Sequence, residues 1–163
     1  MARKFDLYGQ LTASVKDKDM LYGYIDGVVS CAYTDVICNI LTCIWGMVDF
    51  VDDSNMLNRL TKKIPTDLKA LNSILKKSST SFFYDQTEPT IADYFTFEAF
   101  SAAKDYCLKL IPDETNRQAL ENLENVMKQR PAIQNYLNKG LLYKRFTGSP
   151  KEIEYIAKLA EMK

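Results

Sequence analysis

Apolar residues recur at intervals of three and four along most of the chain, the period of a helix with one buried face. Leu21, Tyr24, Ile25, Val28, Val29, Ala32, Val36, Ile37, Ile40 and Leu41 keep that period over residues 15–51 and predict one or two long helices. Gly23 and Gly27 share a face at i,i+4, where another backbone could approach closely. Leu57, Leu60, Ile64, Leu68, Leu71, Ile74 and Leu75 repeat the pattern over residues 56–77. Pro65 falls in its middle, where a proline must open a new helix or kink an existing one. Ala119, Leu120, Leu123, Val126 and Met127 form a further face that Arg130-Pro131 ends. A short helix over residues 131–137, stopped near Gly140, and a terminal one carrying Ile153, Ile156, Ala157 and Ala160 complete the set. No stretch alternates with a strand period. The expected architecture is all-α, a bundle of about six to eight helices. Residues 1–10 read as the end of a preceding helix or linker, and residues 11–163 as one domain.

Residues 87–103, TEPTIADYFTFEAFSAA, depart from the one-faced pattern. Pro89 leads into Thr90 and Asp93 follows three positions later, a hydroxyl residue and an acid at capping-box spacing. The Thr90 side chain is expected to accept the N–H of Asp93 while the carboxylate reaches back to the N–H of Thr90. Aspartate has a shorter reach than glutamate, but its charge suits the positive end of the helix dipole. Beyond the cap, Ile91, Ala92, Tyr94, Phe95, Phe97, Ala99 and Phe100 leave no polar stripe, and a helix apolar all round is normally buried. Thr90 and Asp93 are structural on this reading, not catalytic. The helix is expected to end at Ile111-Pro112, with residues 113–115 able to cap the next. Residues 78–88 form the loop before the box, pinned by Phe82, Phe83 and Tyr84. Ser149-Pro150-Lys151-Glu152 is a second capping box, with proline at the first helical position.

Twenty-one basic residues balance twenty-one acidic ones, so no net field selects nucleic acid or an anionic membrane. The lysine pairs at 62–63 and 76–77 read as solvated helix faces. The amino terminus, MARKFDLYGQ, has no apolar signal region. No apolar run reaches the ~18 residues that a membrane span needs; the nearest, 36–51, is broken by Asn39 and Asp49. Four cysteines, Cys31, Cys38, Cys43 and Cys107, lie within apolar stretches, where a free thiol behaves as a small hydrophobe. With no histidine and no CxxC pair, the usual zinc sets and every histidine-based general base are removed. A cytoplasmic, reduced, metal-free protein is expected, with neither nucleic acid nor membrane as a partner.

Several of these features, in this order, resemble the carboxy-terminal helical domain of the cytosolic glutathione transferases. Pro89-Thr90-Ile91-Ala92-Asp93-Tyr94 resembles the capping box on that family's central buried helix. Ile64-Pro65, followed by Leu68 and Leu71, is similar to its mid-domain segment, and Arg130-Pro131 with Ile133, Tyr136 and Leu137 to its late short helix. Tyr24-Ile25-Asp26-Gly27 resembles the first long helix of the alpha and sigma classes. MARKFDLYG is similar to the stretch that closes the preceding thioredoxin-like domain.

The resemblance implies a helical domain that supplies an apolar substrate site and part of a homodimer interface. Tyr33, Val36, Ile37 and Ile40 are its candidate pocket residues, with Phe146 and the helix from Ser149 as the lid, although core packing is the first reading of all these positions. The glutathione site of the family lies in the thioredoxin-like domain, so no catalytic residue is assigned here. No resident cofactor is expected, and glutathione would enter as a co-substrate only where that domain is supplied. Where some classes carry an aspartate that reaches the neighbouring subunit's glutathione, this chain has Ser30 or Cys31. Cys31 reads as a small hydrophobe rather than a reactive thiol, because no cation adjoins it in sequence. The alternative is a non-enzymatic module, a carrier of apolar ligands or a domain that docks a protein partner on the face left open, as in translation-associated complexes.

Overall fold

The structure is a computed structural model that describes residues 18–44, 58–107 and 117–139. Phe146, both chain ends, the second capping box, the end of the Thr90 helix and the cap expected at 113–115 lie outside the described residues. Among the described residues every regular element is helical: α1 (Lys18–Ser30), α2 (Cys38–Ile44), α3 (Ile64–Leu75), α4 (Ile91–Cys107), α5 (Gln118–Gln129) and α6 (Pro131–Asn138). This is the all-α architecture that the periodicity predicts.

Helices α1 and α2 are one continuous rod joined by a π-helical stretch, Cys31–Ile37. There the Cys38 N–H bonds the Tyr33 carbonyl five residues back rather than four. The reason is visible in the spacing of the buried residues. Val28, Ala32, Val36 and Ile40 recur at a strict four, and all are fully or almost fully buried. An α-helix turns once in about 3.6 residues, so a repeat of four drifts around its axis. The wider π turn opposes that drift and keeps the four side chains on one face. The same solution precedes the proline in the next segment. Arg59–Lys63 is π-helical, with the Ile64 N–H bonded to the Arg59 carbonyl, and α3 starts with Pro65 in its first turn. Leu60, Ile64 and Leu68, again spaced by four, are buried on one side.

Helix α4 packs against α1, the Cys31–Ile37 stretch and α5, which makes it the central element. It is not buried all round, as its composition suggested. Ala92, Asp93, Thr96, Ala99, Phe100, Ala102 and Ala103 are buried, whereas Ile91 is 56% and Tyr94 43% exposed. Small side chains on the inner face let the neighbouring helices come close, and the larger ones of the first turn are left outside. Helix Leu21–Thr42, at 22 residues, is long and apolar enough by length and composition to cross a membrane, whereas the sequence reading finds no run of that length and places the nearest at 36–51. Its burial of Val28, Ala32 and Val36 against α4 and α3 is the pattern of a bundle's core helix.

Buried polar groups join the elements. Asn72 of α3 is 4% exposed, and its Oδ1 accepts the N–H groups of Ala119 and Leu120 at 2.9 and 3.2 Å. The first turn of α5 has no side-chain cap of its own at Arg117, so the cap comes from another helix. Asn39 accepts Arg59 Nη1 at 2.9 Å and donates to the Asp35 carbonyl. Glu124, 3% exposed in the middle of the α5 inner face, takes Lys104 at 2.7 Å and Lys128 at 2.8 Å. Burial alone would raise the Glu124 carboxyl, but the hydrogen bonds from Lys104 and Lys128 outweigh it and hold the group below its ordinary 4.5.

Asn72→Ala strips two buried N–H groups of their acceptor and is expected to cost about 1–3 kcal/mol. Asn72→Asp, which keeps an oxygen there, should cost less; urea unfolding of the two variants orders them. Glu124 binds its proton more weakly folded than unfolded. Its stabilising share is therefore present above pH 4.5 and lost as the pH falls through the depressed folded value. Melting temperature against pH should show that acid-side loss in the parent protein and a shallower one in Glu124→Gln.

Candidate functional site

The Asp93 carboxylate is fully buried at the start of α4 and collects three donors. Oδ2 accepts the Thr90 N–H at 2.7 Å and the Thr90 hydroxyl at 2.9 Å, and Oδ1 accepts the Phe83 N–H at 3.0 Å. The return arm of the box, from the carboxylate to the Thr90 N–H, is as the sequence predicts, and the forward arm differs. The Asp93 N–H goes to the Thr90 backbone carbonyl at 3.0 Å, and the Thr90 hydroxyl donates to the acid instead of accepting from its amide. A carboxylate without water needs donors, and the short aspartate side chain brings its oxygen within reach of the hydroxyl. Burial still raises the Asp93 carboxyl above its ordinary value, against the bonds from Phe83 and Thr90. The third donor is one that no local spacing predicts.

Through Phe83 the cap fixes the preceding loop. Phe82, Phe83 and Tyr84 are all buried, the anchoring role their composition predicts. Tyr84 stacks on Tyr24 with ring centres 5.5 Å apart, and its hydroxyl donates to the Tyr24 carbonyl at 3.0 Å. Tyr84 and Asp85 have φ of 59° and 57°, a left-handed pair in which neither residue is glycine. Such conformations persist only where the surroundings over-determine them. Here the burial of Tyr84 and the hydrogen bonds of Asp85 do so.

Val36, Ile37 and Ile40 lie in the core cluster, with Val36 wholly inaccessible. Tyr33 is the surface member of the expected set, 48% exposed, with its ring edge-on to Phe95 at 5.7 Å. Phe95 is half-buried, and Ile91 and Tyr94 flank it on the first turns of α4. Ile91, one turn before Phe95 on the same side of α4, extends this seam, whereas Tyr94 lies about 100° further round the helix and interacts with Arg130. The sequence predicts Ile91 and Tyr94 as buried, because the helix carries no polar stripe, and the structure leaves both exposed.

Ser30 and Cys31 face different ways: Ser30 is exposed, and Cys31 is half-buried beside α3. The Cys31 sulfur and the carboxylates of Asp35 and Asp67 lie within 4.8 Å of one another, a grouping that could hold a metal ion. The Lys63 ammonium already serves both carboxylates, at 3.3 Å from Asp35 and 2.9 Å from Asp67. Burial, then the charges of Asp67 and Asp35, push the Cys31 thiol up to about 12, and Lys63 offsets only part of that. A cation does adjoin Cys31 in space, unlike in sequence, but the two acids claim it. The thiol stays protonated at neutral pH and is a poor nucleophile or ligand.

An all-helical domain arranged around a capped central helix is what the fold and geometry of the described residues define. Residues 35–140, well over half the chain, match the family described as Glutathione S-transferase, C-terminal domain. The chain belongs to that family. No curated protein and no solved structure matches it. The matched stretch contains the Ile64-Pro65, Thr90 to Asp93 and Arg130-Pro131 motifs on which the resemblance rests.

Asp93→Ala removes the helix cap, at a cost of about 0.5–2 kcal/mol, and strands the buried Phe83 N–H, at about 1–3 kcal/mol more. Thr90→Val loses one hydroxyl and keeps the carboxylate with its two backbone donors. Chemical denaturation should therefore show Asp93→Ala as the more damaging by a clear margin. A Thr90→Val loss equal to it would mean that the hydroxyl, not the carboxylate, holds the loop.

Proposed function

We infer that this helical domain supplies the apolar-substrate side of a glutathione transferase-like protein and part of a homodimer interface, and that the chain by itself does not conjugate glutathione. The observation that carries the reading is the exposed Tyr33 ring set edge-on to Phe95, with Ile91 one turn away, on the seam between the first long helix and α4. An apolar electrophile has flat ring faces and aliphatic edges to meet there. The chemistry also needs a hydroxyl placed to stabilise the glutathione thiolate. The resemblance puts the groups that do so in a thioredoxin-like domain, and none of the candidate residues named here is one of them. Of Ser30 and Cys31, the exposed Ser30 is the one that a neighbouring subunit's glutathione can reach, and it brings a hydroxyl rather than a carboxylate.

The same exposed aromatics favour a second reading, a carrier of apolar ligands or a docking module for a protein partner, since contiguous apolar surface marks interaction sites. A chromogenic conjugation assay on this chain should give no turnover above background, and turnover would overturn the assignment of the chemistry to another domain. A fluorescent hydrophobic dye should bind, and Tyr33→Ala should weaken it; dye binding indifferent to Tyr33→Ala would remove this surface from the reading. Stable capture of translation components from a native lysate would favour the docking module instead.

A further inference from the structure

Between α3 and the Thr90 cap runs Lys76-Lys77-Ser78-Ser79-Thr80-Ser81, four hydroxyl residues behind two exposed lysines. Of the four hydroxyl residues Ser79 is the exposed one. Ser78 and Thr80 are half-buried and committed to the loop: Ser78 Oγ accepts the Asp85 N–H at 3.1 Å, and the Thr80 hydroxyl donates to the Gln86 carbonyl at 2.8 Å. Ser79 places Lys77 and Lys76 two and three positions before its hydroxyl. A protein kinase with an acidic substrate groove reads that spacing.

What Ser79 touches gives the modification a consequence. Its N–H and its hydroxyl both donate to Asp85 Oδ1, at 2.6 and 2.8 Å, and the Ser78 hydroxyl donates to the same oxygen at 3.2 Å. Those bonds hold Asp85, and through it Tyr84, in the left-handed pair. Two residues before Asp85 stands Phe83, whose N–H is the third donor to Asp93. The latch is thus mechanically in line with the cap of the central helix.

We propose that Ser79 is a phosphorylation site for a basic-directed serine/threonine kinase, and that its modification releases the loop of residues 78–88 from Asp85. In the step, the γ-phosphoryl group of a nucleoside triphosphate passes to Ser79 Oγ. A P–O bond forms there, the bridging bond to the nucleoside diphosphate breaks, and the hydroxyl proton leaves to the kinase's base. The product has no hydroxyl hydrogen to give Asp85 and sets about −1.5 to −2 charges against an ionised carboxylate, which is disruptive at contact. The bonds from Ser79 keep the Asp85 carboxyl below its ordinary range, so it carries full charge at neutral pH. Lys76 and Lys77 are exposed, and ion pairs they form with the phosphate in water contribute too little to offset that repulsion.

The test uses the full chain, labelled ATP and a basic-directed serine/threonine kinase, with peptide mapping and amide hydrogen exchange. A single phosphoryl group per chain on Ser79 is expected, lost in Ser79→Ala and strongly reduced in the Lys76→Ala, Lys77→Ala double variant. Exchange protection should fall across residues 82–93 on modification. In Asp85→Asn, where no carboxylate faces the phosphate, modification should change exchange far less. No incorporation, or incorporation at Ser78, Thr80 or Ser81 instead, would overturn the site. A modified protein with unchanged exchange would overturn the latch.

Discussion

One buried carboxylate settles how this domain is put together. Asp93 lies at the start of the central helix with no exposed surface and three donors, two from Thr90 and one from Phe83. The Thr90 contacts are local and would start a helix anywhere. The Phe83 contact is not local in effect, because it ties the helix start to a loop whose aromatics fill the space beside Tyr24 of the first helix. An ionised group out of water is costly unless its lone pairs are met. Any arrangement that moves the loop away therefore exposes Asp93 to that cost. The same residue that specifies where α4 begins also specifies what lies against it.

Other buried polar groups repeat this division of labour. The apolar faces of α1, α3, α4 and α5 provide the burial that drives collapse, yet apolar contact is non-directional and tolerates sliding. Asn72 fixes α3 against the start of α5, Asn39 fixes the first helix against Arg59, and Glu124 fixes α5 against Lys104 of α4. Each is buried on a helix face that is otherwise largely apolar. Each is a cost unless the partner element is in register, so together they select one packing among several with similar buried area.

That distinction also separates what the sequence discloses from what it does not. Leu60, Ile64, Leu68, Leu71 and Leu75 announce their buried face by spacing alone, and all are buried. Pro65 announces a helix start, and the cap at Thr90 announces another. The family was legible because such local signals stand in the family's order. Asn72 was not legible as a cap, because its acceptor serves amides 47 and 48 residues away, and no window on the sequence holds both. The surroundings of Cys31 are illegible for the same reason: Asp35 stands four residues away, but Lys63 and Asp67 reach it only once two helices have met. The exposed first turn of α4 failed differently. Ile91, Tyr94 and Phe95 are apolar, while the buried side carries the polar Asp93 and Thr96 among its small and aromatic residues, so polarity does not mark which side faces outward. The outward side is the one that bears the candidate binding surface.

The π-helical stretches show that some of the missing detail was present but unread. A repeat of four at Val28, Ala32, Val36 and Ile40 and again at Leu60, Ile64 and Leu68 is too long for an α-helix to keep on one face. Either those side chains spiral away from the core or the helix widens. The first stretch widens over Cys31–Ile37, the part of the rod that packs on both α3 and α4. The widening keeps the core side continuous, and Tyr33 sits within the widened turn, edge-on to Phe95 at the surface. The aromatic surface proposed for ligand binding thus shares a turn with the residues that keep the core closed. A helix forced back to α geometry there would have to give up either the buried row or the position of Tyr33.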